Sequence, residues 1–172
     1  MENIEIIKTP AEVNRRIKAM GSEIAQACGT EPLTMIVVMN RGLFFAAKLA
    51  EAIEKDDLYI DSIAAGSYKN NVSSGVVELR STMKLDPCGR HILIVDEVLD
   101  TGRTLKAIRE NLLDMGALSV KTAVLVEKDL PRSDGIEHAD LAGFIMDDRY
   151  LIGCGMDSDE KYRQYPGIAV LV

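Results

Sequence analysis

The chain has 172 residues, of which 47% are hydrophobic and 27% charged, and its formal net charge is −7. This length and apolar content predict a single domain, residues 1–172, with its own core. The acidic balance, with a sequence pI near 4.9, disfavours general nucleic-acid binding but leaves room for a local cationic pocket. No apolar run is long enough to span a bilayer and no signal peptide opens the chain, so we expect a cytoplasmic protein without a membrane partner.

The first half of the chain predicts a helix followed by a strand, a helix and a strand. Thr9 and Glu12 form a capping box and Pro10 suits the first helical turn, so a helix begins here. Gly29 ends it. The later elements are a buried strand over 33–39, a helix over 43–55 and a strand over 58–65.

Residues 66–90 differ from the sequence on either side because they are polar and rich in serine, asparagine and glycine. A short hairpin around 76–79 is compatible with this composition. A connection of this length inside a compact domain is usually functional or disordered.

The second half of the chain alternates strands with helices. Its clearest strand covers 91–95, and an acidic turn over 96–102 follows. The remaining elements are a helix over 104–115 and strands over 120–126, 141–146, 150–152 and 168–172. This alternation predicts an α/β protein with a mostly parallel sheet flanked by helices, whose ligands bind beyond the carboxyl ends of the strands.

The most informative stretch is 92–105, where an apolar strand runs into acids and a hydroxyl-rich turn. Asp96 and Glu97 follow four apolar residues, and Asp100 comes after two more. Adjacent acids at a strand end suit sugar hydroxyls or Mg²⁺, which prefers oxygen ligands. The Thr-Gly-Arg-Thr turn at 101–104 offers backbone N–H groups and a helix N-terminus to a terminal phosphate. The run therefore predicts a site for a phosphorylated sugar, and it is not a Walker A loop.

This run resembles the phosphoribosyl pyrophosphate (PRPP) signature of type I phosphoribosyltransferases, above all their hypoxanthine-guanine branch. The resemblance implies that family's fold, with a small hood from the C-terminal segment and a mobile lid over about 66–90. Further segments that resemble the family are the pyrophosphate loop at 38–42, the lid residues 67–68 and 73–75, the purine strand at 125–128, and the hood at 150–157 and 160–163.

The resemblance assigns the PRPP side of the site. It implies that Asp96 and Glu97 contact the ribose, directly or through Mg²⁺, and that Asp100 is the general base near N7 of the purine. Arg163 would meet the pyrophosphate. The 5′-phosphate would be held by Thr101, Gly102, Arg103 and Thr104, and the pyrophosphate by Asn40, Arg41 and Gly42 as well.

The resemblance also assigns the purine side and the lid. Lys128 would donate to O6 of a 6-oxopurine, and Tyr150, next to Leu151, would stack on the base. Asp157 would border the purine and bind Mg²⁺ together with the acid pair. The lid residues Ser67 and Tyr68 would close over the reaction and exclude water.

Two positions depart from the family pattern. The acid pair is usually Glu then Asp, whereas here Asp96 precedes Glu97. Because adjacent strand residues face opposite ways, the exchange leaves open which acid reaches the ribose. The pyrophosphate loop commonly reads Lys-Gly-Gly, whereas 40–42 read Asn-Arg-Gly. Arg41 would then bind phosphate with a planar fork rather than a point charge.

Several hypotheses follow from the resemblance. The first is a Mg²⁺-dependent purine salvage enzyme that forms IMP or GMP and pyrophosphate from PRPP and hypoxanthine or guanine. A sister enzyme for xanthine-guanine or uracil is the second. A nucleotide-responsive regulator that binds RNA is the third, and the acidic pI counts against it. A silent paralogue is the fourth. For the enzyme, the family implies a homodimer or homotetramer.

Overall fold

The computed structural model describes residues 4–67, 77–79 and 83–172. Its elements form two sheets and three helices within those residues. In chain order they are β1 Ile4–Lys8, α1 Pro10–Cys28, β2 Leu33–Met39, α2 Leu43–Ala52, β3 Leu58–Ser67, β4 Val77–Leu79, β5 His91–Leu99, α3 Arg103–Asp114, β6 Ser119–Lys128, β7 Leu141–Met146, β8 Leu151–Ile152 and β9 Ile168–Leu171.

The larger sheet has the strand order β4-β3-β2-β5-β6-β7. All neighbours in it pair in parallel except β4, which runs antiparallel to β3. The chain moves outward from β2 to β3 and then returns to place β5 on the other side of β2. Ligands of open α/β sheets bind at such a switch point. The fold therefore confirms the predicted mostly parallel sheet and directs attention to the carboxyl ends of β2 and β5.

Helices cover both faces of this sheet. On β2, Met35 and Val37 belong to the core that contains α1 and α2, whereas Ile36 and Val38 belong to the core that contains α3. Burial on both faces explains why the strand is a continuous apolar run rather than an alternating one. The predicted capping box of α1 is present, with Thr9 and Glu12 bonded to each other's backbone.

The smaller sheet is antiparallel, with the order β1-β9-β8, and it corresponds to the hood. Its C-terminal strands β8 and β9 match the predicted segments. Strand β1 was not expected, because Glu5 and Lys8 interrupt its apolar pattern and it lies at an edge with Ile4 and Ile6 exposed. Residues 4–8 therefore form a strand because they pair with β9, which their own sequence does not indicate.

Two predicted boundaries differ most from the structure. Strand β5 continues through Asp96 and Glu97 to Leu99, so the acid pair lies in the strand and not in a turn. Pairing with β6 supplies the reason, because Asp96 aligns with Val124 and the ladder extends to the carboxyl end of β6. Helix α2 ends at Ala52 rather than at residue 55.

The predicted lid lies mostly outside the described residues. Ser67 is the last residue of β3, and Tyr68 falls outside the described part of the chain. The lid assignment stays a prediction. In the described ranges 4–67, 77–79 and 83–172, no helix has the length and apolar character needed to cross a membrane.

Core burial sets the first prediction. Ile94 on β5 is 0% exposed, whereas Ile145 on the edge strand β7 is 71% exposed. Replacing Ile94 with Ala leaves a cavity and should lower the free energy of unfolding by about 2–5 kcal/mol. Replacing Ile145 with Ala should change it by about 0.5 kcal/mol or less. Urea unfolding followed by circular dichroism measures both, and equal losses would contradict the described sheet.

Candidate active site

A cavity of about 390 Å³ opens where the carboxyl ends of β5 and β6 face the hood. This is the edge at which a parallel sheet places its ligands. A second cavity, of about 410 Å³, lies beside the amino ends of the same strands and is lined mainly by apolar atoms. The sequence-predicted residues that line the first cavity are Arg41, Glu97, Asp100, Lys128, Tyr150, Leu151 and Asp157.

Strand register brings the two central residues of this cavity together. Leu99 on β5 pairs with Glu127 on β6, so the next residues, Asp100 and Lys128, emerge side by side. The Lys128 Nζ lies 3.6 Å from Asp100 Oδ2. It also donates to Asp148 Oδ1 at 2.7 Å. The Lys128 side chain is only 14% exposed, so it is not a lysine that extends from a strand end into solvent.

Of the acid pair, Glu97 is the member that lines the cavity. Its Oε1 lies 3.7 Å from a guanidinium nitrogen of Arg41, and its buried Oε2 has no hydrogen-bond partner among the described residues. Asp96 is not among the lining residues, as expected for its neighbour on a strand. The structure thus places the longer acid, Glu97, toward the cavity.

Asp96 lies buried behind Glu97. Its Oδ1 accepts a hydrogen bond from the Glu97 backbone N–H at 2.9 Å. Burial, and then repulsion from the Glu97 carboxylate, raise the pKa of Asp96 well above its ordinary value. A carboxyl group with these surroundings is more easily protonated than its exposed counterpart.

The hood contributes an aromatic ring and a carboxylate whose position is fixed by neighbouring groups. The Tyr150 side chain lines the cavity and is 67% exposed, which is not the burial of a core aromatic. Asp157 pairs with Arg163 at 2.8 Å, and its other oxygen accepts the Glu160 backbone N–H at 2.9 Å. Arg163 also donates to the Gly155 carbonyl at 2.8 Å. Arg163 is therefore a structural partner of Asp157 and not a freely solvated charge.

The loop after β2 fits tightly between β5 and the hood. The Met39–Asn40 peptide bond is cis. A Cβ added at Gly42 would lie 2.8 Å from the Val95 carbonyl oxygen, so this position requires glycine. A Cβ at Gly155 would lie 1.9 Å from the carbonyl oxygen of Arg41. The hood backbone thus rests directly on the loop that carries Arg41.

The turn predicted to hold a phosphate lies at the start of α3. Gly102 has φ 76° and directly precedes the first helical residue, Arg103. The backbone of this turn packs on a loop that sequence reasoning did not consider, because a Cβ at Gly102 would lie 2.5 Å from the Ile136 carbonyl oxygen. Arg103 pairs with Asp134 at 2.6 Å. Thr101 and Thr104 flank these residues, and their role in phosphate binding stays a prediction.

Some residues in or beside the cavity had no clear sequence signal. Asp148 holds the Lys128 amine, yet in the sequence it is one of several acids near the hood. It stands next to Asp147 and two residues before the predicted stacking residue Tyr150. The lining residues to which the sequence analysis gave no individual role are Val98, Met156, Asp159 and Glu160.

Comparison with known proteins identifies the family. Residues 3–147 match the family described as a phosphoribosyl transferase domain. The chain belongs to the phosphoribosyltransferase family. This confirms the family inferred from the 92–105 run.

Individual relatives agree with this assignment. The chain is 33% identical to the hypoxanthine-guanine phosphoribosyltransferase of Bacillus subtilis, over 97% of this chain and 92% of that protein. It is 29% identical to the hypoxanthine-guanine-xanthine phosphoribosyltransferase of Tritrichomonas foetus, over 99% of this chain and 93% of that protein. A hypoxanthine phosphoribosyltransferase structure from Staphylococcus aureus superposes with a TM-score of 0.90 at 27% identity, covering 98% of this chain and 92% of that one.

The contact between hood and loop yields a second prediction. Gly155 and Gly89 both have positive φ, but only Gly155 faces a close neighbour, whereas a Cβ at Gly89 would meet nothing within 4 Å. Gly89→Ala should cost about 1–2 kcal/mol of stability from backbone strain alone. Gly155→Ala should cost more and should weaken PRPP binding, because the Arg41 loop must move. Thermal unfolding and calorimetric PRPP titration test this, and equal behaviour of the two variants would contradict it.

Proposed function

We propose that this phosphoribosyltransferase acts in purine salvage and forms IMP or GMP and pyrophosphate from PRPP and hypoxanthine or guanine. The observation that carries this proposal is the pair of Asp100 and Lys128, whose charged groups are 3.6 Å apart in a cavity beside the exposed ring of Tyr150. One carboxylate, one ammonium and one ring face are what a 6-oxopurine needs for recognition. The names of the relatives support the same substrates.

The purine would lie against Tyr150 with its O6 toward Lys128 and its N7 toward Asp100. The new bond forms between the purine nitrogen N9 and C1 of the ribose. The bond from C1 to the pyrophosphate oxygen breaks, and its electron pair leaves with pyrophosphate. The N7 proton passes to Asp100, which acts as general base. For a purine held in this position, orientation and electrostatics would supply most of the rate acceleration of the transfer.

PRPP would lie across the switch point of the sheet. Its 5′-phosphate would bind at the N-terminus of α3, at 101–104, where unpaired backbone N–H groups favour an anion. Its pyrophosphate would lie near Arg41, whose guanidinium now faces Glu97. Arg163 would support this end of the site by holding Asp157 in place.

The residues fit a magnesium ion that is shared with the substrate. The described residues contain no group of three or more His, Cys, Asp or Glu side chains that could hold a metal ion by themselves. Mg²⁺ is usually held by one or two carboxylates together with substrate phosphates and water. Glu97 suits this role, because its buried Oε2 lacks a partner among the described residues. Asp157 would be the second carboxylate, with Asp96 behind Glu97. Bound Mg²⁺ would neutralise charge on the departing pyrophosphate.

Xanthine is a second candidate base. The relative from Tritrichomonas foetus is named for hypoxanthine, guanine and xanthine. Xanthine carries an additional oxo group at C2, so its use would depend on the hood residues around Leu151 rather than on Lys128.

An oligomer is also part of the proposal. Leu43 and Ile60 are exposed and line an apolar groove between α2 and β3. Exposed apolar surface of this kind is typical of interfaces. We expect a homodimer or homotetramer, which light scattering would measure.

Substrate choice is the third prediction. We expect purified protein with PRPP and Mg²⁺ to convert hypoxanthine and guanine to nucleotides, and adenine and uracil not at all. EDTA should abolish the conversion. Chromatography of parallel reactions with these bases and xanthine measures it. If a folded protein that binds PRPP converted none of the bases, a regulator or a silent paralogue would be the better account.

Asp100 and Lys128 provide the fourth prediction. Asp100→Asn should lower kcat about 10²–10⁴-fold, the usual contribution of a general base, with PRPP binding retained. Lys128→Met should weaken hypoxanthine binding more than PRPP binding. Lys121→Met is the matched control, because Lys121 is exposed on the same strand, away from the cavity. Steady-state kinetics and calorimetry distinguish the variants. A wild-type turnover for Asp100→Asn would refute its role as base.

A further inference from the structure

One buried arginine connects the ends of the two strands that carry the proposed base and the purine lysine. Arg132 lies in the connection after β6, and its side chain is only 2% exposed. It donates to the backbone carbonyls of Leu99 at 3.0 Å and Asp100 at 2.5 Å, both at the end of β5. It also donates to the carbonyls of Lys128 at 2.6 Å and Glu137 at 2.8 Å.

Three of these carbonyls, those of Leu99, Asp100 and Lys128, lie where the β5–β6 ladder ends, since Leu99 and Glu127 form its last pair. Beyond this pair, backbone hydrogen bonds between β5 and β6 no longer fix the distance between the two segments. A guanidinium can, because it presents five N–H donors in one rigid plane. The hydrogen bonds of Arg132 thus hold the two segments together where the backbone pairing of the sheet has ended.

The buried charge of Arg132 has its own counter-ion. The Glu127 carboxylate lies 3.8 Å from a guanidinium nitrogen and is 6% exposed. Glu127 is held in turn by the Ala139 backbone N–H at 3.0 Å and by Nδ1 of His138 at 2.6 Å. The hydrogen bond to Glu127 raises the pKa of His138. Buried charges need such compensation, so this is an organised network and not an incidental contact.

We propose that Arg132 is a positioning residue that fixes the spacing of Asp100 and Lys128 and thereby the placement of the purine. This inference rests on the proposed function of the same cavity. Arg132 is not among the lining residues of the cavity, so it acts only through the backbone of the two residues. Misplacement of a reacting group by about 1 Å can lower the rate about 10²-fold. A change in the spacing of Asp100 and Lys128 should therefore lower the rate of catalysis.

The phosphate turn has a further support that does not involve the Arg132 side chain. Gly102 packs against Ile136, and the Ile136 N–H donates to the Gly102 carbonyl at 3.3 Å. Loss of Arg132 should therefore affect the purine more than PRPP. A role in general stability would predict equal effects on both substrates.

The chain offers a matched control in Arg109. This arginine on α3 pairs with Asp140 and lies 3.4 Å from Thr122 Oγ1. It connects the helix to the opposite half of β6, and neither of these partners lines the cavity that contains Asp100 and Lys128. Replacing it should remove the polar contacts of an arginine to β6 and the loop before β7 without changing the spacing of Asp100 and Lys128.

The test compares Arg132→Lys with Arg109→Lys in the full-length protein. Lysine keeps the charge but cannot reach four carbonyls in one plane. For Arg132→Lys we expect kcat/KM for hypoxanthine to fall about 10–100-fold, with KM for PRPP changed by about twofold or less. For Arg109→Lys we expect a lower thermal midpoint with both constants near wild type.

Glu127→Gln is a second variant that keeps the shape of the network, in case Arg132→Lys does not fold. It should lower kcat/KM for hypoxanthine several-fold and leave KM for PRPP unchanged. Unchanged purine kinetics in the folded variants, or equal losses for both substrates, would overturn the positioning role. If the wild-type protein failed to transfer the phosphoribosyl group to hypoxanthine, the proposed function would be overturned instead. The failure of the positioning role and the failure of the proposed function are therefore distinguishable.

Discussion

The register between β5 and β6 is the constraint on which the site depends. Parallel pairing of Leu99 with Glu127 places Asp100 and Lys128 next to each other at the carboxyl edge of the sheet. This pairing brings the Asp100 carboxylate and the Lys128 ammonium, which are far apart in sequence, to 3.6 Å from each other. The hood then closes over this edge and adds Tyr150.

The cations of the site already face carboxylates before any substrate is present. Arg41 lies near Glu97, Lys128 donates to Asp148, and Arg163 pairs with Asp157. In the proposed function, a phosphate-rich substrate would exchange one anionic partner of these cations for another rather than fill an open cationic pocket. This explains how a protein with a net charge of −7 can be suited to PRPP. In the proposed function, Mg²⁺ would neutralise the carboxylates that the substrate releases.

Sequence reasoning succeeded where one local pattern carries the information. The apolar run before Asp96, the three acids and the glycine turn predicted both the strand and its ligand class. It could not decide which acid faces the cavity, because that depends on how far β5 continues beside β6. It also missed Arg132 and Asp148, whose partners lie on other elements and whose sequence surroundings are ordinary. Strand β1 was missed because only its pairing with β9 makes it a strand.

The most direct test of the central claim is a double-mutant cycle between Asp100→Asn and Lys128→Met, measured as kcat/KM for hypoxanthine. If both residues act on one purine in one transition state, their losses should not multiply. The account predicts that kcat/KM of the double variant lies within about tenfold of kcat/KM of the less active single variant. Losses that multiply fully would mean that the two side chains act independently, and would contradict a shared purine site.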